Sequence, residues 1–185
     1  VPRTIAGTAD PWSTFPEKFF LRPKRSWRGL MKLGRVKLIS ATSQWRETIN
    51  VWRQQGLDED DWCYQEVLSV SNRHNVSISG WHDAEHHTYV ATRKVLQYPA
   101  KTGNGDVCEI VEPPAGLLAT TKGLLDALQY AGPFELEFVL DKNSGSYKVI
   151  ELNPRFWMQH ALVGAVTGQN PVRRYVGLPV DRCAK

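Results

Sequence analysis

Glu137, Glu151 and Asn153 are the residues whose types and spacing best suit chemistry in this chain. Phe134-Glu135-Leu136-Glu137-Phe138-Val139-Leu140 alternates apolar Phe134, Leu136, Phe138 and Leu140 with Glu135 and Glu137, the period of two expected of a strand with one buried face. Asp141 to Gly145 reads as a turn and Tyr147 to Asn153 as the return strand. A three-residue loop of Asn143, Ser144 and Gly145, with a positive φ at Gly145, pairs Lys142 with Ser146. Counting outward then sets Glu137 against Glu151 and Glu135 against Asn153. Carboxylates directly opposed at about 5 Å between Cβ atoms repel one another. The register therefore asks for a positive charge between them, or for both acids to stand solvated on a wet sheet face, which this spacing leaves open. A hard cation such as Mg²⁺ suits two carboxylates and an amide oxygen, and its remaining positions suit phosphate oxygens.

The elements around this hairpin are legible in outline. Trp45, Ile49 and Trp52 form one side of a predicted helix from Ser43 to about Gln55. Two alternating runs, Val76 to Trp81 and Thr88 to Val95, predict a strand pair joined by His82-Asp83-Ala84-Glu85-His86-His87. That cluster tempts a zinc assignment, but it sits where a hairpin turn belongs and reads better as a solvated turn. Pro113-Pro114 opens a predicted helix through Tyr130, with Leu117, Leu118, Thr121, Leu124, Leu125 and Leu128 at helical spacing. After Arg155, Phe156 to Leu162 should enter a short helix ending near Gly164 or Gly168.

Composition sets the outer bounds. The chain has 185 residues, 42% of them hydrophobic, and no apolar run long enough to span a bilayer, as expected of a soluble globular protein with an ordinary core. Its net charge of +4 is modest, and the cations gather at Arg22, Lys24, Arg25, Arg28, Lys32, Arg35 and Lys37, with Gly29 and Gly34 among them. That run reads as a local anion site or as a solvated basic loop. Cys63, Cys108 and Cys183 are widely spaced and give no disulfide framework, so a reducing cytoplasm is the expected compartment.

Glu137-Phe138 and Glu151-Leu152-Asn153-Pro154-Arg155 resemble the signature of the ATP-grasp superfamily of ligases. The resemblance implies that Glu137, Glu151 and Asn153 hold the magnesium ions of ATP and that Arg155 contacts the transferred phosphate. With Tyr147-Lys148-Val149-Ile150 before it and Phe156-Trp157 after, the string looks most like the carboxylate–amine ligases, D-aspartate-ligase-like proteins among them. Phe19-Phe20-Leu21-Arg22-Pro23 looks like the family strand that ends in Lys-Pro, with Arg22 in place of the lysine that contacts ATP phosphate. A guanidinium can serve there, since it binds phosphate through two parallel hydrogen bonds. Residues 22–37 look like the loop that closes over the triphosphate, with Lys37 as a further phosphate contact. Trp62 to Leu68 resembles the segment that links the two subdomains, which implies an adenine site at Gln65, Glu66, Val67 and Leu68. The acid that usually holds the ribose has no counterpart between Ser69 and Asn75, where Asn72 offers an amide instead. Thr92 to Pro99 looks like the substrate-side strand. Alternation sets Arg93 and Lys94 on opposite faces, and Lys94 aligns with the family's basic position, which makes it the implied substrate contact. Val1-Pro2-Arg3-Thr4 resembles a Pro-x-Thr that normally lies well inside such proteins, implying a Rossmann-like domain upstream.

The expected architecture is therefore an α+β, ATP-grasp fold of two subdomains whose antiparallel sheets enclose the nucleotide, residues 1–66 and residues 67–185, with the metal-binding hairpin in the second. The expected activity is an ATP- and Mg²⁺-dependent carboxylate–amine ligase acting through an acyl phosphate. Its partners are a small-molecule carboxylate and an amine, with no membrane, and homo-oligomerisation is left open. Two alternatives stand beside it: a truncated nucleotide-binding module without turnover, and a nucleic-acid binder using the basic, Trp27-containing stretch. The nucleic-acid reading is disfavoured because it leaves the facing acids unexplained.

Overall fold

Alternating apolar and polar residues build a four-stranded antiparallel sheet in the first of two units, Val1–Leu68, and a five-stranded one in the second, Ser69–Lys185. The computed structural model describes residues 1–25, 27–28, 31–32, 36–70, 75–98 and 104–180. Gly29, Gly34, Arg35, Asn72, Pro99 and Cys183 lie outside the described residues, as do the side chains of Trp27, Arg28 and Lys32. No helix among the described residues is long and apolar enough to cross a membrane.

In the first unit, strands β1 (Thr4–Ala6), β2 (Phe19–Pro23), β5 (Lys37–Ile39) and β6 (Trp62–Glu66) form a sheet in the order β1-β6-β2-β5. A short helix α1 (Pro11–Thr14) and a two-residue pairing of β3 (Trp27–Arg28) with β4 (Met31–Lys32) lie between its strands in sequence. Helix α2 (Thr42–Gln54) contributes Ile49 and Trp52 to a core with Phe19, Leu21, Ile39, Trp62 and Tyr64. Strict alternation follows: Phe19 and Leu21 are fully buried on the α2 face, while Phe20 and Arg22 take the other.

In the second unit, β7 (Val76–His82), β8 (His87–Tyr98), β9 (Asn104–Ile110), β10 (Gly132–Asp141) and β11 (Ser146–Asn153) form a sheet in the order β11-β10-β7-β8-β9. Helix α3 (Leu117–Ala127) covers one face, where Leu117 and Leu125 pack with Val76, Ile78, Phe134, Leu136 and Phe138. On the opposite face Val90 packs with Trp157 and with Val163 of helix α4 (Ala161–Thr167). A last helix, α5 (Pro171–Tyr175), is capped by Asn170, whose side chain accepts from the Val172 amide.

The hairpin differs from the expected one in a way that cancels. Asp141, not Lys142, pairs with Ser146, so the turn holds four residues, closed by the Gly145 amide on the Asp141 carbonyl and with Gly145 at φ +64°. Asp141 also accepts hydrogen bonds from the Asn143 and Ser144 amides and from the Ser144 hydroxyl. The ladder then slips by one between Glu137 and Phe138: Phe138 pairs with Val149 and Glu137 with Glu151, leaving Ile150 as the extra residue of a β-bulge. Tyr147 and Val149 face the core before the bulge, and Leu152 after it. The bulge thus switches the parity that would otherwise have aimed Glu151 and Asn153 into the core.

Other differences are local. The helix after Pro114 begins only at Leu117, behind Gly116 at φ +82°, and the helix after Arg155 begins at Ala161. Strand β9 carries no clear alternation in sequence. His82 ends β7 as a buried residue, with Nδ1 2.6 Å from the Tyr89 hydroxyl and Nε2 3.2 Å from Asp126 Oδ1 on α3. It belongs to a strand–helix contact, whereas the solvated turn is confined to the residues after it.

Candidate functional site

The register carries the acids into a row across the second sheet. Asn153, Glu135, Ser79 and Val90 stand in line from β11 through β10 and β7 to β8, and Glu151, Glu137, Ser77 and Thr92 form the next line. Both lines lie on the face opposite α3, because Leu136 and Ile78 between them point into the α3 core. Trp157 and Val163 close this face over Val90, leaving the acid end open.

Lys94 is the group that balances Glu137. Its Nζ lies 2.9 Å from Glu137 Oε2, with the two side chains only 17% and 16% exposed. Arg93, one residue earlier and on the other face, pairs instead with Glu109 at 2.6 Å. Among the described residues, Glu135 hydrogen-bonds to a neutral partner, Asn153. Asn153 Nδ2 donates to its Oε2 at 3.4 Å, and burial, followed by the Glu137 charge, pushes its carboxyl above the usual range despite the nearby Lys94 charge and a hydrogen bond with Ser77.

Arg155 follows the Pro154 that ends the strand. It donates through Nη2 to Asn153 Oδ1 at 3.4 Å and through Nη1 to the Phe156 carbonyl at 3.0 Å, so these contacts are neutral and its charge stays available to an anion. An open cleft of about 110 Å³ is lined by Lys94, Glu135, Glu137, Arg155, Trp157, Met158 and Gln159. The structure therefore gathers Lys94, Glu137 and Arg155 at one cleft, with Asn153 bonded to two of its walls and Glu151 exposed across from Glu137. Among the described residues, no group of three or more His, Cys, Asp and Glu side chains is arranged to hold a metal ion. The oxygen set here is two carboxylates and an amide, a set that fits a hard cation whose other ligands come from phosphate and water.

Glu135 is a site residue that the sequence places opposite Asn153 without assigning it work. Its parity with Glu137 is the available signal. Trp157 and Gln159 follow Arg155 closely and line the cleft from the segment before α4.

In the first unit, Arg22 Nη1 donates to Gln65 Oε1 at 2.7 Å, and Gln65 Nε2 donates to Thr4 Oγ1 at 3.1 Å. Arg22 is thus held in place by a neutral partner and keeps its charge. The Glu66 amide bonds to the Arg3 carbonyl, and Val67 and Leu68 are half-buried beyond the strand end. Lys37 is not brought to Arg22: it pairs with Leu21, on the α2 face of the sheet.

Residues 115–178 match the family described as the carbamoyl-phosphate synthase L chain, ATP binding domain. No curated protein matches the sequence. Among solved structures, Rhizobium etli pyruvate carboxylase superposes with a TM-score of 0.68 at 18% identity, over 96% of this chain and 16% of that one. N5-carboxyaminoimidazole ribonucleotide synthetase from Thermotoga maritima gives 0.61 at 13% identity, over 100% of this chain and 46% of the other. Carboxyaminoimidazole ribonucleotide synthase from Aspergillus clavatus, solved with ATP, gives 0.58 at 10% identity, over 98% and 48%. The chain spans about half the length of these synthetases and a smaller part of the carboxylase. The chain thus shares the fold of these enzymes along its length, and its residues 115–178 match that ATP-binding family.

Proposed function

We propose that this chain binds ATP with Mg²⁺ and serves an ATP-dependent ligase that phosphorylates a substrate carboxylate and joins the resulting acyl phosphate to an amine. One observation carries the reading: Glu137 faces Glu151 and Glu135 faces Asn153 on the outward side of the sheet, next to Arg155. Glu137, Glu151 and the Asn153 oxygen hold the metal against the phosphates, and Arg155 stabilises charge on the transferred group. Lys94, released from Glu137, offers its ammonium to the substrate carboxylate. Arg22 supplies a phosphate contact, and the backbone from Gln65 to Leu68 holds the adenine. Lys37 is left out of the phosphate set because its register puts it on the α2 face. The chemistry needs no protein nucleophile, since positioning and electrostatics carry phosphoryl transfer.

The soluble-ligase reading includes a cytoplasmic setting and a small-molecule acid and amine as partners. Release of ADP that depends on an added carboxylate tests it, with panels of small acids and amines as substrates. Turnover with one such pair supports the ligase. Nucleotide binding with no turnover across the panels favours a binding module instead.

A further inference from the structure

Glu135 takes no part in the metal and phosphate roles above, yet it stands on the same face and contacts one of the proposed ligands. Asn153 presents an amide with two unlike ends. A hard divalent cation binds the oxygen end and is repelled by the NH₂ end, so a ligating asparagine must be held in one of two orientations. Its neighbours decide which. Nδ2 lies 3.4 Å from Glu135 Oε2, and Oδ1 lies 3.4 Å from Arg155 Nη2. Turning the amide over would set a carbonyl oxygen against a carboxylate on one side and an NH₂ against a guanidinium on the other. Both contacts would become repulsive, so the two flanking charges enforce a single orientation.

Glu135 is equipped to hold that orientation. It is directly opposite Asn153 in the β10–β11 ladder and opposite Ser79 in the β7 ladder, so strands on both sides fix its backbone. Resting on the metal reading above, we infer that Glu135 is a positioning residue for a divalent cation: by accepting from Asn153 Nδ2 it turns Asn153 Oδ1 toward the metal without itself being a ligand. Partners of this kind behind a metal ligand typically contribute about tenfold to a hundredfold in metal affinity.

The test is Mn²⁺ binding to the whole chain with ADP present, read from the electron paramagnetic resonance signal of free Mn²⁺. Glu135→Leu should weaken Mn²⁺ binding by about tenfold or more. Glu135→Gln should stay within about threefold of the parent, because its amide oxygen still accepts from Asn153. Asn153→Asp supplies two like oxygens that need no orienting, so in that background Glu135→Leu should cost no affinity. Equal binding by the parent and Glu135→Leu overturns the inference. So does a loss in Glu135→Gln as large as in Glu135→Leu, since that result would make Glu135 a charged ligand. Absence of Mn²⁺ binding to the parent chain overturns the metal reading itself, and this inference with it. Thermal melts without metal show whether each variant is folded, and the Asn153→Asp background keeps the comparison internal to folded protein.

Discussion

Lys94 Nζ lies 2.9 Å from Glu137 Oε2, reaching across β7 from β8 to β10. Both groups are largely withdrawn from water, and Glu135 adds a second carboxylate two residues from Glu137 on the same face. Lys94 therefore offsets much of the acid charge on this part of the sheet. Removing it as Lys94→Met should destabilise the second unit by about 2–3 kcal/mol, because a poorly hydrated carboxylate loses its partner. Adding Glu137→Gln should recover part of that loss. Urea midpoints of the two single variants and the double variant check this, and a Lys94→Met variant as stable as the parent would contradict it.

Glu135 sets a pH dependence with a definite sign. Its carboxyl lies above the ordinary value of 4.5 in the folded chain, first because of burial and then because of Glu137. The folded state therefore favours the protonated form, and the stability this gives is full below the ordinary value and lost as pH rises through the raised one. Glu135→Gln, which cannot ionise, should match the parent at about pH 4 and exceed it in stability at about pH 7. Denaturation curves at both values test this. A parent that gains on the variant as pH rises would reverse the sign and refute the account.

Thr121 gives a prediction remote from the cleft. It is fully buried on α3, and its hydroxyl has no hydrogen-bond partner among the described residues. Thr121→Val keeps the shape and removes the unpaired group, so it should be neutral or stabilising by about 1 kcal/mol. A loss of more than about 1 kcal/mol in the melt would show that the hydroxyl is satisfied in solution.

The Ile150 bulge predicts an asymmetry between deletion and insertion. Deleting Ile150 leaves a regular ladder in which Glu137 still meets Glu151, with Val149 and Leu152 still facing the core. Inserting one alanine after Ile150 also allows a regular ladder, with Glu151 and Asn153 still outward and Leu152 inward. That ladder, however, sets Ile150 opposite Glu137 and moves Glu151 along to Glu135, which breaks up the facing acids. Both variants should unfold cooperatively, but only the deletion should keep Mg²⁺-dependent ADP binding. Calorimetric titration of the two variants checks this, and equal binding by both would mean that the register of these acids does not control the site.

Much of the site is legible in the sequence because it lies on a hairpin, where alternation and a turn fix who faces whom. The pairs Glu137–Glu151 and Glu135–Asn153 emerge through two errors that compensate, a turn one residue too short and a bulge not foreseen. A signal for the bulge exists: Tyr147 and Val149 set one parity of apolar positions and Leu152 breaks it. The partner of Glu137 is not legible. Lys94 approaches across an intervening strand, a contact set by the sheet order β10-β7-β8, which local periodicity does not encode. Register also separates Lys37 from Arg22, because proximity in a basic run says nothing about which sheet face each side chain takes. The burial of His82 is hidden for a related reason. It depends on Asp126 and Tyr89, and Asp126 lies on a helix remote in sequence.

In the proposed site, Glu137, Glu151 and Asn153 hold a metal–nucleotide complex. The most direct test is the melting temperature of the chain with Mg²⁺ and ADP together, with each alone, and with both added to Glu151→Ala. At about 100 times the dissociation constant the complex should add about 2.7 kcal/mol, a rise of several degrees. The parent should shift only when both components are present, and Glu151→Ala should not shift. A parent that shifts equally with ADP alone, or an alanine variant that shifts like the parent, would contradict this assignment.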